Sequence, residues 1–196
     1  MAGSTENLIQ GVGFLYVATI GTSEPADADI ADPPGAEWRG LGFTQEGVTL
    51  TISQEYTALE VDQLVDVPGQ RLTSRNVVVA TSLAEATLDN LASALNELAA
   101  QVVETAAGAG TPGTKKFEPR ADGLQGEPDY AMILLDGYAP NGFPRRVIVR
   151  RALQTGEVEA ANTKDGQTVF PVEFAGHYVS SSVAPYKVVD QTAVPS

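Results

Sequence analysis

GVTLTIS, residues 47–53, decides how this chain is read. Val48, Leu50 and Ile52 fall on one face and Thr49, Thr51 and Ser53 on the other, the two-residue period of a half-buried β-strand. Downstream the phase changes. Tyr56 keeps to the even-numbered face, whereas Leu59 and Val61 are odd and alternate with Glu60 and Asp62, which predicts a bulge or turn within residues 54–58. Beyond the break the chain reads as a flap and not a ladder. Upstream, residues 12–20 are apolar on both faces, with Val12, Phe14, Tyr16 and Ile20 against Leu15 and Val17, the pattern of a strand covered on both sides. Residues 72–81 carry the β-branched run Val77, Val78, Val79, and further strands are expected at 129–136, 145–154, 168–178 and 186–189. With 19 Gly and 12 Pro to supply turns, the expected fold class is mainly β with one flanking α-helix.

That helix is expected to start at residues 82–85. Ser82 and Glu85 have the spacing of a capping box, and Leu88, Leu91, Leu95, Leu98 and Val102 recur at three and four, a stripe that would seal one face of a sheet. Gly108 and Gly110 end it. Loops are expected at 21–37, rich in Pro and acid, and at 108–128. Residues 1–10 read as a polar arm and 191–196 as a tail. No internal repeat or linker interrupts the chain, so its 196 residues are expected to form one domain.

Charge excludes several function classes. Lys and Arg number 12 against 25 Asp and Glu, a net −13, which rules out binding nucleic acid by broad charge attraction. Ten acids (Glu24, Asp27, Asp29, Asp32, Glu37, Glu46, Glu55, Glu60, Asp62, Asp66) face Arg39 alone in the segment from 24 to 66. The opposite cluster is Arg145, Arg146, Arg150 and Arg151 around Val147, Ile148 and Val149. These arginines read either as solvated strand ends or as an edge that meets the acidic segment of the next copy, a head-to-tail arrangement suited to rings or filaments. Mean hydropathy is −0.05, and the longest apolar runs fall far short of the ~20 residues of a membrane helix. Residues 1–10 lack the features of an export signal, so synthesis and residence in a cytoplasm are expected.

Catalytic equipment is sparse. No Cys and a single His, His177, leave no thiol nucleophile and no zinc set within one chain. Gly108, Gly113, Thr114 and Lys115 approach a phosphate-loop pattern, but the glycines follow a helical pattern where a phosphate loop precedes a helix. Asp27, Asp29 and Asp32 lack the Gly and Glu of a calcium loop, with Pro33 and Pro34 where ligands should continue. Glu173 and His177 share a strand face but lie roughly 13 Å apart at ~3.3 Å per residue, too far for an orienting hydrogen bond. Ser180, Ser181 and Ser182 have no nucleophile elbow. No enzyme, metal or cofactor is expected, although carboxylate-based hydrolysis stays open among 25 acids.

Residues 41–96, LGFTQEGVTLTISQEYTALEVDQLVDVPGQRLTSRNVVVATSLAEATLDNLASALN, together with ILLDGYAPNGFPRRVIVRRA (133–152) and VFPVEFAGHYVSSSVAPYKVVD (169–190), resemble the major tail, or tail tube, proteins of long non-contractile phage tails. The resemblance implies a β-sandwich or barrel-like subunit with an outer helix, in hexameric rings stacked as a hollow tube through which DNA passes. It implies inner-sheet strands at 48–54 and 72–81 and the outer helix over 84–103, with 55–70 as a long loop that stacks on the adjacent ring. Glu55, Glu60, Asp62 and Asp66 would then line or rim an acidic lumen that repels phosphates, and Arg145, Arg146, Arg150 and Arg151 would lie at subunit contacts. The implied partners are further copies of the chain, a tape measure protein and a tail terminator, with no membrane. The implied location is the virion tail, assembled in the host cytoplasm. Loops 21–37 and 108–128 match no part of that pattern and are expected to be outer decoration. The alternative left open is a β-sandwich binding module, on a virion surface or secreted, that recognises a glycan or receptor.

Overall fold

The computed structural model describes residues 5–97, 101–121 and 128–193. Its strands are β1 (Phe14–Thr19), β2 (Arg39–Gly40), β3 (Thr44–Leu59), β4 (Gly69–Leu83), β5 (Val102–Thr105), β6 (Thr114–Phe117), β7 (Ala131–Tyr138), β8 (Pro144–Gln154), β9 (Phe170–Gly176) and β10 (Tyr186–Asp190). Antiparallel pairing orders the main sheet β2-β1-β7-β8-β9-β4-β3, with β10 also on β8. β8 is the divide. Its residues 145–149 pair with β7 on one edge and β10 on the other, and residues 152–154 then hand that second edge to β9. The two arms enclose one core, where Leu15, Ile133 and Val149 meet Val77, Val79, Val172 and Phe174. The chain is therefore mainly β, with antiparallel sheets in a sandwich-like packing.

Met132, Ile133 and Leu134 are buried in succession because both faces of β7 are covered. Ile133 faces the main core, while Met132 and Leu134 join Ala18, Trp38, Ile148 and Tyr16 in a second cluster on the outer face. The 21–37 loop closes that face. Ile30 is buried, and the indole Nε1 of Trp38 donates to the Ser23 carbonyl at 3.2 Å. The loop expected as decoration is thus a lid on a core of its own.

Three expectations are corrected. The helix is α1 (Leu88–Ala94), not 84–103. Ser82 still belongs to the β4–β9 ladder, the Glu85 carboxylate accepts from the Phe43 N–H at 3.0 Å, and the Thr87 hydroxyl caps the helix by accepting from the Asn90 N–H at 3.2 Å. At the far end Asn96 turns left-handed (φ 57°), and its amide bonds both the N–H and the carbonyl of Gln154, ending the helix against β8. Val102 then opens β5, and Leu98 lies outside the described residues. The 108–128 loop contains β6, whose Thr114–Phe117 pairs with β5 in a separate two-stranded sheet.

The 55–70 loop is mostly ladder. β3 and β4 pair from Thr44↔Leu83 to Leu59↔Gly69, leaving residues 60–68 as the turn. A register shift does fall where the phase argument put it, between Glu55 and Tyr56, but the extra residue is Thr73 on β4. Its hydroxyl donates to the Glu55 carbonyl at 3.1 Å, so β3 keeps its own alternation through the bulge. A second shift at Glu46–Gly47, both with positive φ, is closed by Thr81 Oγ1 donating to the Gly47 carbonyl at 2.7 Å.

Candidate assembly surfaces

β4 pairs with β9 only over residues 78–83, while its ladder with β3 continues to residue 69. Beyond Val77 the pair runs on alone as a two-stranded ribbon. Residues 51–76 are exposed apart from half-buried Gly69. The ribbon has unlike faces. The face continuous with the core carries Ile52, Tyr56 and Leu72, 42, 54 and 38% exposed, together with Gln54 and Arg75. The other carries Thr49, Thr51, Ser53, Glu55 and Thr57 opposite Ala80, Val78, Asn76, Ser74 and Arg71, and extends across β9 through Ala175 and the exposed Glu173. Glu60, Asp62 and Asp66 lie in the exposed turn, beside Val61, Leu64, Val65 and Val67. Of the four acids singled out in the sequence, Glu55 alone is on the hydroxyl-rich face. Glu173 joins it there, which the sequence could show only once Ala80↔Glu173 fixed the register.

The arginines are engaged within the subunit. Arg146, 3% exposed, holds the Asp136 carboxylate through Nε at 2.7 Å and a terminal nitrogen at 2.8 Å, and it also donates to the Asp29 and Asp32 carbonyls of the 21–37 loop. Arg150 clamps Glu24 in the same loop with both Nε and a terminal nitrogen. Lys187 on β10 reaches Glu24 at 3.1 Å and Asp27 at 2.7 Å. Arg145 grips Asp190 bidentately. Arg151 lies 3.9 Å over the Tyr130 ring, whose edge meets His177. So the acidic stretch at 24–32 meets the basic strand inside one chain.

The ionisation of these groups follows their partners. The Arg150 hydrogen bond, against some burial and helped by Lys187, lowers the Glu24 pKa. Arg145 likewise lowers that of Asp190, and bonds from Asp27 and Glu24 raise that of Lys187. On α1, Lys115 pairs with Asp89 and lowers its pKa. Burial lowers the pKa of Arg39, which donates to Asn90, the Asp89 carbonyl and Ser93.

Among the described residues no group of His, Asp and Glu is placed to hold a metal ion, and no helix is long and apolar enough to cross a membrane. Among them too, His177 has no carboxylate bonded to it, and Ser180 bonds only within its own turn, to Ser182 and the Val183 N–H. What the described residues present instead is surface: a β3 edge with no strand among them paired to it, a two-faced ribbon and an acidic, valine-rich tip. A family model described as phage tail tube protein matches residues 1–192. No curated protein matches the chain.

Proposed function

The chain belongs to the phage tail tube protein family and is a structural tail subunit, not an enzyme; from that premise we propose that six copies close into a ring, and that rings stack into a tube around an acidic channel for DNA. The observation that carries this reading is the ribbon. A two-stranded hairpin alone in water is marginally stable, and this one exposes Ile52, Tyr56 and Leu72 on one side while β3, among the described residues, leaves a backbone edge unpaired. Pairing that edge with a neighbouring subunit satisfies its N–H and C=O groups and covers the apolar face. The hydroxyl-rich face, with Glu55 and Glu173, then looks into the lumen. The carboxylates of Glu55 and Glu173 outweigh the single guanidinium named on that face, Arg71 opposite Thr57, so the face is net negative and the genome slides instead of sticking.

Residues 1–196 act in this reading as one tail-tube domain. Glu60, Asp62 and Asp66 rim the contact between rings. Arg145 and Arg151, which do not bind the 21–37 loop, lie towards neighbouring copies, while Arg146 and Arg150 hold that loop. The further partners are a tape measure protein and a tail terminator, and the setting is a virion tail assembled in the host cytoplasm. Negative-stain electron microscopy of concentrated protein tests the assembly. Sixfold rings or hollow tubes are expected, and a stable closed dimer or trimer would overturn it.

A further inference from the structure

A cleft of about 510 Å³ opens at the root of the ribbon, between its apolar face and the segment after β9. Leu72, Val77, Val183 and Pro185 give it apolar walls, Arg75 its cation, and His177 an imidazole. Among the described residues no carboxylate lines it, in a chain of net charge −13. Among them also, Arg75 makes no ion pair, and His177 Nε2 is buried with no hydrogen-bond partner. An occupant matching this cleft is short, apolar and acidic. The chain carries such a segment at the ribbon's tip, where Val61, Leu64, Val65 and Val67 stand 43, 59, 104 and 55% exposed beside Glu60, Asp62 and Asp66.

We propose that this cleft receives the tip, residues 60–68, of a second copy, with tip valines on Leu72, Val77 and Val183 and an aspartate of the tip paired with Arg75. The tip cannot serve its own cleft. The ladder from Gln54↔Arg75 to Leu59↔Gly69, bulged at Thr73, holds it about 20 Å from its own Arg75, six residues at ~3.3 Å each. Donor and receiver are different surfaces of one chain, so each added copy leaves a tip and a cleft free, and association continues instead of closing as a dimer. This deepens the tube reading and rests on it.

The absence of Cys makes the test direct. Val65→Cys and Val183→Cys variants, mixed, assembled and then oxidised, should give a disulfide-linked dimer about tenfold more abundant than either variant alone gives. Tubes from the mixture without that dimer overturn the cleft and leave the tube reading standing, whereas wild-type protein that forms only closed dimers or trimers overturns the tube reading and this one together. Both sites are on the surface, so neither substitution threatens the fold. Arg75→Glu should abolish tubes, and adding Asp66→Arg in the same chain should restore them. Tubes from Arg75→Glu alone at the wild-type level would overturn the proposal.

Discussion

Arg146 shows how one side chain can hold two parts of a protein together. At 3% exposure its charge is tolerable because Asp136 and two loop carbonyls surround it, so removing the carboxylate strands a buried cation. Asp136→Ala should therefore cost about 3–5 kcal/mol, read as a lower urea midpoint of the monomer. Charge reversal at Arg146 should unfold the subunit before it affects any contact between subunits. The Glu24 pair is more exposed and carries a pH signature. Since Arg150 lowers the Glu24 pKa, its contribution is full above the ordinary value of 4.5 and is lost as pH falls through the lowered one. Lys187 has a raised pKa, so its contribution is full below the ordinary 10.5 and is lost as pH rises through the raised value. The 21–37 loop should accordingly lose amide protection, taken relative to the intrinsic exchange rate at each pH, as pH falls below 4.5, and Glu24→Gln should show lowered protection already at neutral pH with a flatter acid response. Hydrogen exchange of that segment against pH decides this.

Helix α1 is short because polar side chains, not apolar spacing, set both ends. Thr87→Ala removes the N-cap and should destabilise by about 1 kcal/mol in chemical denaturation. The leucine stripe overstated the helix because spacing says nothing about which backbone groups Asn96 can reach, and its bonds to Gln154 join residues 58 apart. Asn90 is hidden in the sequence for the same reason. It is 2% exposed, and its amide serves Leu41, Glu85 and Arg39, none of which a linear pattern connects to it. The strands were legible where alternation or a two-sided apolar run is intrinsic to the segment, as at Val48, Leu50 and Ile52 or Ile133 to Leu135. Even the phase break near Tyr56 located a real bulge, although alternation along β3 could not reveal that Thr73 across the ladder was the extra residue. The partners of the basic strand were legible in kind but not in address. Acid meets Arg, yet nothing in the sequence says that loop 21–37 folds over β8 of the same chain.

At the scale of the whole molecule, the body and the ribbon are separable. Replacing residues 60–68 by Asn-Gly joins Leu59 to Gly69 through a tight turn and leaves the core untouched. That variant should unfold at the wild-type midpoint yet form no tubes, with size-exclusion chromatography and electron microscopy as readouts. Tubes of normal appearance would sink the role given to the tip. The way the ribbon is anchored also bears on how a tail responds to pull. Among the described residues, its ladder to the body consists of the six β4–β9 pairs from Val78↔Ala175 to Leu83↔Phe170, and these bonds lie across the strand direction. Tension applied at the tip runs along the strands, so it shears those bonds together where a transverse load would peel them one by one. Stretching or bending the assembled tail would then strain each subunit in its mechanically stiffest direction.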